Sequence, residues 1–389
     1  LLADYAKMSH RRVAVASNRR ILEFVQKTML ETSEEADWLG REYAVETVRS
    51  LTATEASDRY LMGTQGLLNT LALVARGGPF CNRDVVVSDT DAMMESSSEQ
   101  QQQVPLASEK ARLHACIAIM NLSCGKANKI EIAKIPQVLE SMRDVMLNST
   151  DEARLKATTC VKNLSNADAN DAALLGTSGL VEALGHVAHE TCSSQSGATP
   201  CTTNACLALM NLSIAKANKH TVFRAAGVME ALMIVLERTT AQGSSNEARI
   251  KACSALSNLA IGYDNKIPMF SYPGFVESIL NVIQTDTGEA RTKACSILWS
   301  FAAEMKNQVP VVQRGDILPV LVRVAEEDGT TEARFKCVAA LPLLAESLEN
   351  AIPLLEAGAM VPLMEILHDA GPDPTQWKGQ TASWCVGFL

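Results

Sequence analysis

The chain has 389 residues, and 35 Lys and Arg against 44 Asp and Glu give it a formal net charge of −9. This acidity argues against nucleic-acid binding, because neutralising phosphates needs a surplus of Lys and Arg. Hydrophobic residues make up 47% of the chain, which excludes intrinsic disorder, and no apolar run approaches the roughly 18 residues that a membrane span needs.

The first predicted element is a helix from Arg11 to Leu30. A partial copy of the repeat described next begins at Arg41, with Gly66 at the expected turn. We therefore assign residues 1–40 to an N-terminal helical cap or degenerate repeat and residues 41–389 to a repeat array.

One sequence pattern recurs along the array. Five segments begin with Ala-Arg and continue with an apolar or Thr residue, Lys or His, and a small residue: 111–116, 153–157, 248–253, 290–295 and 333–337. Asn-Leu or a variant of it follows each of them, and a sixth copy has lost the Ala-Arg. The first residues of these pairs, which we call the anchors, are Asn121, Asn163, Asn211, Asn258, Ser300 and Leu343. They are spaced by 42, 48, 47, 42 and 43 residues.

A second register confirms the period. Seven residues after each anchor stands another Asn: Asn128, Asn170, Asn218, Asn265, Asn307 and Asn350. A Gly follows eight or nine residues later in five copies, where a tight reversal between helices needs a residue without Cβ. An apolar run at helical spacing comes next, such as 275–283. One unit is thus a short first helix, a second helix and a third helix that ends near the anchor.

Three polar insertions interrupt the array, at residues 77–108, 191–203 and 239–246. The first contains a run of four Gln and a run of three Ser, a composition that favours a mobile loop. All three fall between the second and third helices of a unit. The pattern of a third helix reappears at Trp384 and Phe388, and the chain stops there. Since it also begins without Met or a signal sequence, we expect a segment of a longer intracellular protein.

The period near 42 residues, the three helices, the Gly between the first two and the Asn-Leu pair together resemble the armadillo repeat. This resemblance covers the chain from about Arg41 to Leu389 and implies an all-α, right-handed superhelical solenoid of about seven units plus a truncated one. In armadillo proteins the third helices line the concave face, and their anchor Asn side chains hold the backbone of an extended partner peptide. The resemblance therefore implies a peptide-binding groove at Asn121, Asn163, Asn211 and Asn258, with Ser300 as a departure.

An Asn side chain carries both an acceptor and donors, so it suits a peptide backbone of any sequence. The alternative interpretation is that the same Asn side chains satisfy backbone groups inside the solenoid. Nuclear-import armadillo proteins also place a Trp four residues before the anchor, and here only Trp384 stands in that position. Recognition of a basic import signal is therefore not expected.

Two rows of Lys accompany the anchors. Seven residues before the anchors stand Lys156, Lys251, Lys293 and Lys336, each with a Glu four residues earlier. This order favours helix-stabilising ion pairs, and the alternative is a cationic row that pairs with acidic groups of a partner. The second row follows the anchors and contains Lys126, Lys129, Lys216, Lys219, Lys266 and Lys306. Both rows together favour an acidic or phosphorylated extended peptide.

Chemistry-bearing motifs are sparse. The sequence holds no phosphate-binding or nucleophile-elbow motif, so we expect no enzyme activity and no cofactor. Repeated Cys residues such as Cys116 and Cys206 suit tight helix packing better than catalysis. His186, His189 and Cys192 are the nearest approach to metal spacing, and we predict no metal there.

We predict a non-enzymatic scaffold that binds a protein or peptide partner along the groove. We expect it to be monomeric, without a transmembrane segment and without nucleic acid, in the cytoplasm or nucleus. Two alternatives stay open: a regulatory adaptor that binds a globular partner of the small-GTPase type at its edge or convex face, and the substrate-recognition arm of a ubiquitin ligase.

Overall fold

A computed structural model describes residues 1–30, 38–77, 107–149, 151–193, 198–239, 245–327 and 332–370. Within these ranges every regular element is helical. The α-helices are α1 Leu2–Lys7, α2 Arg12–Ala16, α3 Arg19–Leu30, α4 Trp38–Leu51, α5 Glu55–Met62, α6 Leu67–Arg76, α7 Glu109–Leu122, α8 Lys126–Ala133, α9 Pro136–Asn148, α10 Asp151–Leu164, α11 Asp171–Gly176, α12 Leu180–Ser193, α13 Pro200–Leu212, α14 Lys219–Arg224, α15 Val228–Arg238, α16 Ser245–Ala260, α17 Lys266–Phe270, α18 Phe275–Thr285, α19 Glu289–Ala302, α20 Met305–Gln313, α21 Ile317–Glu326, α22 Glu332–Ala345, α23 Ala351–Glu356 and α24 Met360–Ala370. Short 3-10 turns occupy Ser9–Arg11, Asp168–Asn170, Tyr263–Asn265 and Leu348–Asn350.

The helices form two compact units, Leu1–Leu180 and Val181–Leu389. In the second unit each class of helix packs on the same class in the next repeat. The third helices α13, α16, α19 and α22 pack in succession, and so do the second helices α15, α18, α21 and α24. The first unit follows the same rule, with α4 packed on α7 and α7 on α10. This stacking of three-helix units confirms the predicted all-α solenoid.

The first thirty residues follow the same order. Helix α1 packs on α4, α2 on α5 and α3 on α6, which is how the third, first and second helices of a preceding repeat would pack. The predicted helix from Arg11 to Leu30 is in fact two, broken at Ser17 and Asn18. The break is stabilised by Asn18, whose Oδ1 accepts the Ile21 N–H of α3 at 3.3 Å.

Glycine makes the turn between the first and second helices. Gly66, Gly227 and Gly274 have φ of 76°, 76° and 73° at the residue before α6, α15 and α18. This left-handed conformation is strained for any residue with a Cβ, so the predicted role of the recurring Gly is confirmed.

The predicted insertions largely lie outside the described residues, which leave out 78–106, 194–197 and 240–244. The second is shorter than predicted, because α12 runs to Ser193 and α13 begins at Pro200. Thr199 explains that start: its hydroxyl accepts the Thr202 N–H, and the Thr202 hydroxyl accepts the Thr199 N–H, which is a capping box.

Candidate peptide-binding face

Three anchor Asn side chains, at the last turns of their third helices, point back at the preceding repeat. Asn163 Nδ2 donates to Ser123 Oγ at 3.0 Å, and Asn121 Nδ2 donates to Thr52 Oγ1 at 3.1 Å. Asn258 Nδ2 donates to Met210 O at 3.2 Å and to Ser213 Oγ at 3.3 Å. These anchors thus join neighbouring repeats. Asn258 bonds to a backbone carbonyl, as in the alternative interpretation, whereas Asn121 and Asn163 bond to side-chain hydroxyls.

The hydroxyls that receive these amides belong to one structural position, two residues after the anchor. Ser123 Oγ donates in turn to Met120 O at 2.6 Å, and Ser213 Oγ donates to Met210 O at 2.7 Å. The Ser hydroxyl therefore connects a carbonyl near the end of one third helix to the Asn amide of the next repeat. Ser123 and Ser213 have no exposed surface, so these hydrogen bonds are internal.

Anchor and hydroxyl disappear together farther along the chain. The position two residues after Asn258 is Ala260, and the next anchor is Ser300 instead of Asn. Ser300 turns inward and donates to Ser296 O of its own helix at 2.9 Å. An amide without an acceptor across the repeat boundary would be buried unsatisfied, which explains the paired loss.

The hydrogen bonds from Asn to Ser and on to the helix carbonyl, which we call the relay, limit which atoms of the anchors are available to a partner. The amide donors of Asn121, Asn163 and Asn258 are engaged within the protein, whereas no described residue donates to their Oδ1 atoms. Asn163 is 8% exposed, and the other two are half-buried. All three anchors can therefore accept a hydrogen bond from a peptide N–H at Oδ1. Asn121, whose Nδ2 uses one of its two hydrogens within the described residues, also keeps an N–H for a peptide C=O.

The first Lys row lies half-exposed on the third helices. Lys336 Nζ is 4.0 Å from Glu332 Oε1, and it stands 4.8 Å from the centre of the Trp299 ring. For Lys156, Lys251 and Lys293 no carboxylate of the described residues comes within 4.0 Å. The predicted Glu–Lys pairs are thus formed at one of four positions, because an exposed pair gains only a few tenths of a kcal/mol.

The sequence pattern does not single out Trp299, because Trp299 is next to an anchor rather than four residues before one. Its ring is covered by Lys336 of the next third helix, a cation–π contact between repeats. Trp384, the one Trp in the import-receptor position, lies outside the described residues.

The second basic row is not uniform. Lys126, Lys216 and Lys306 are exposed, but Lys219 is 7% exposed and its Nζ donates to Ser213 O at 2.7 Å and Asn258 O at 2.8 Å. Burial lowers the pKa of Lys219. Lys219 is therefore wrongly placed in the basic row that was expected to favour an acidic peptide; its ammonium group caps two third helices.

The second Asn register is internal. Asn265 Nδ2 donates to Leu259 O at 3.1 Å and to Lys219 O at 3.0 Å, and Asn350 Nδ2 donates to Leu344 O at 2.9 Å and Gln308 O at 3.1 Å. Each of these amides closes the end of its own third helix and joins the first helix of the preceding repeat.

The Arg of four Ala-Arg pairs ties third helices to second helices. Arg249 is 2% exposed, and its guanidinium donates to Leu236 O, Thr239 O, Thr285 Oγ1 and Asp286 Oδ2. Arg112, Arg291 and Arg334 reach second-helix ends in the same way. These Arg side chains therefore shape the face without lying on it.

The cysteines of the third helices are packing residues in the structure. Burial raises the pKa of Cys116, Cys160 and Cys253 to about 12, which keeps them as thiols. In the described part of the chain, no three His, Cys, Asp or Glu side chains are placed to hold a metal ion. His186 Nε2 instead stands 3.4 Å from Glu190 Oε2.

None of the helices within the described ranges is by itself long and apolar enough to cross a membrane. One pair, Glu332–Ala345 with Leu348–Glu356, reaches the length and composition together but bends by 116° at its break.

Neither the protein-family models nor the curated proteins include a match to this sequence. Among solved structures, computationally designed armadillo repeat proteins for modular peptide recognition share 18% identity over 64% of this chain and 99% of theirs, with a TM-score of 0.54. A designed armadillo repeat protein of the type YIII(Dq)4CqI shares 19% identity over 64% and 99%, with a TM-score of 0.52. The structure thus confirms the resemblance at the level of the fold: the chain folds as armadillo-like repeats.

Proposed function

We propose that this protein is a non-enzymatic scaffold whose third helices bind an extended, acidic or phosphorylated segment of a partner protein. The observation that carries the proposal is the pair Lys251 and Lys293. They occupy the same position in the successive helices α16 and α19, half-exposed and without an ion-pair partner among the described residues. We call the surface of Lys251, Asn258, Lys293 and Lys336 the third-helix face of the second unit.

The spacing of this face suits an extended chain. Packed helices lie about 8 to 10 Å apart, and an extended peptide advances about 3.3 Å per residue. Two or three peptide residues therefore match one repeat, so acidic side chains at that interval meet one Lys each. The Oδ1 of Asn258 supplies an acceptor for a peptide N–H between them.

The designed relatives support this use of the fold, because they were made for modular peptide recognition. Many modest contacts in a row would provide the affinity, with charge pairs that weaken as salt rises. In the first unit Asn121, Asn163 and Lys156 form the corresponding face, and Asn211 belongs with the second unit's α13.

The test uses a fluorescein-labelled 12-residue peptide of alternating Glu and Ser, and the same peptide with phosphoserine. Fluorescence anisotropy with the 389-residue chain should show binding that Lys251→Glu with Lys293→Glu weakens at least tenfold. The matched control, Lys216→Glu with Lys306→Glu, makes the same charge change on exposed residues of the same unit. Equal losses in both double variants would show unspecific attraction, and an absence of binding to the unmodified chain would also reject the proposal.

A further inference from the structure

The first helices of the last three repeats carry a row of exposed apolar side chains. Tyr263, Met305 and Leu348 each stand five residues after their anchor and are 74%, 78% and 81% exposed. Four residues later, on the same side of each first helix, stand Ile267, Val309 and Ile352. Ile267 is 39% exposed, Val309 is half-buried and Ile352 is 68% exposed. We call these six residues the first-helix strip; all belong to the second unit.

The strip is confined to these repeats. In the earlier repeats the same two positions are occupied by other residues: Glu55 and Arg59, Lys126 and Ile130, Asp168 and Ala172, and Lys216 and His220. Single exposed apolar residues are ordinary on protein surfaces, but here apolar residues recur at the same two positions of three adjacent repeats. The position faces solvent in every repeat, so packing within the fold does not account for the change.

Other exposed apolar residues have a different cause. Leu355 is 49% exposed, whereas the equivalent Phe223 and Val312 of earlier repeats are 8% and 7% exposed. Leu355 lies on the last described repeat, on the side where a following repeat would pack. It is therefore not part of the strip.

The charges beside the strip are mostly acidic. Asp264, Glu304 and Glu349 are next to strip residues in sequence, and Glu346 is two residues before Leu348, against Lys266 and Lys306. No Lys or Arg occurs between Lys336 and Lys378, so the charged residues nearest to Leu348 along the chain are the carboxylates Glu346 and Glu349. Asp264 and Glu349 are exposed and form no ion pair within the described residues.

We infer that the first-helix strip binds a basic amphipathic helix of a partner protein. Adjacent first helices pack on each other, α17 on α20 and α20 on the turn before α23, at a spacing of about 8 to 10 Å. A helix advances about 10.5 Å in seven residues, so apolar side chains repeated every seven residues meet one strip pair after another. About 14 to 18 residues cover all three repeats, and Lys or Arg beside that apolar stripe face Asp264, Glu304 and Glu349.

This site is separate from the third-helix face, and the two ligands carry opposite charge. The acidic flanks also distinguish the occupant from an anionic membrane surface, which the same carboxylates repel. A second copy of the chain would bring a strip with equally acidic flanks, which disfavours face-to-face pairing.

The probe is a labelled 18-residue peptide with Leu at helical spacing along one face and Lys along its borders, and its control is a scrambled peptide of the same composition. Anisotropy with the 389-residue chain should give at least tenfold tighter binding of the amphipathic peptide. Met305→Glu with Leu348→Glu should abolish that difference, whereas Met305→Leu and the third-helix variant Lys251→Glu with Lys293→Glu should keep it. Circular dichroism checks that each variant stays folded, which exposed positions allow.

Four outcomes would overturn the inference. The first is binding of the scrambled peptide as tight as that of the amphipathic peptide, and the second is peptide binding by the Met305→Glu and Leu348→Glu variant as tight as that by the unmodified chain. The third is a dimer in sedimentation that this variant loses while the peptide does not bind, which would make a second copy the occupant. Binding to phosphatidylserine-containing vesicles that the variant loses, again without peptide binding, would make the occupant a membrane.

Discussion

Asn163 of one repeat donates its side-chain amide to Ser123 of the repeat before it, over 3.0 Å, and Ser123 passes the bond on to the carbonyl of Met120. Armadillo-like proteins are expected to use this Asn for a partner. Here the Asn163 amide nitrogen bonds to Ser123 Oγ and also lies 3.5 Å from Cys124 Sγ, so the side chain has a structural role and its Oδ1 remains available to a peptide.

The first prediction tests this relay. Asn163→Ala should lower the free energy of unfolding by about 1 to 3 kcal/mol, because a buried hydrogen bond is broken. Ser123→Ala removes the same bond from the other side, so the double variant should lose less than the two single losses added together. Urea unfolding followed by circular dichroism measures all three.

Asn148→Ala is the matched control, because Asn148 is exposed and its side-chain bond within the described residues is to Asp144 O of its own helix. It should change stability by less than about 0.5 kcal/mol. Additive losses for Asn163 and Ser123 would contradict the relay.

The second prediction concerns the buried guanidinium of Arg249. Arg249→Met should cost about 3 to 5 kcal/mol, because Asp286, itself 4% exposed, would be left as an unpaired buried carboxylate. Arg249→Lys keeps the charge but cannot reach four acceptors at once. Its free energy of unfolding should therefore lie between those of the unmodified protein and Arg249→Met. Thermal and urea unfolding give the ranking.

Removing both charged partners provides the control. Arg249→Met with Asp286→Asn should recover part of the loss, since no uncompensated charge remains. A double variant as unstable as Arg249→Met alone would show that the contacts to Leu236 O and Thr239 O, rather than the ion pair, dominate.

Much of the fold could be predicted from sequence because it rests on backbone requirements that recur. Gly66, Gly227 and Gly274 stand where φ must be positive, and the period of the apolar runs gives the helices. The end of α12 at Ser193 could not be predicted, because Ser- and Thr-rich sequence is as common in helix caps as in loops.

The site was harder to predict, because its bonds join residues about 40 positions apart. Asn163 and Ser123 are both in Asn-Leu-Ser triplets, yet the Ser of one triplet serves the Asn of the next. The sequence signal that could have indicated this bond is that the triplet recurs and that its Ser and the next Asn are lost together, at Ala260 and Ser300. Lys219 could not be placed at all, since its burial depends on the packing of α14 against α16.

The third prediction uses cysteine reactivity. Cys124 is exposed, whereas burial raises the pKa of the Cys116 and Cys160 thiols to about 12. Because the thiolate is the reactive form, a disulfide reagent such as DTNB should modify Cys124 in the folded protein and the other two only after unfolding.

Cys81 and Cys385 lie outside the described residues, so the measurement is made with both replaced by Ser. In this background Cys124→Ser should remove the fast phase, and Cys116→Ala should leave it unchanged. A fast phase that survives Cys124→Ser would mean that one of the buried thiols is reached from solvent.

The fourth prediction concerns Asp58, which accepts a hydrogen bond from Asn128 Nδ2 at its Oδ2 over 3.0 Å. Its Oδ1 is buried without a partner among the described residues, and burial raises the pKa of Asp58 above 3.8. Asp58→Asn should therefore stabilise the protein at neutral pH, because an amide loses less than a carboxylate when it leaves water and can still accept from Asn128.

The sign of the pH dependence follows from the raised pKa. Below pH 3.8 Asp58 is protonated in both the folded and the unfolded chain, so its burial does not lower the free energy of unfolding there. The loss of stability develops as the pH rises through the folded pKa. The advantage of Asp58→Asn should thus be present at neutral pH and vanish below 3.8, which urea unfolding from pH 3 to 7 measures. Glu55→Gln, a change at an exposed neighbour, should show a smaller gain. An Asp58→Asn advantage that stays constant across this range would mean that the gain does not come from the charge.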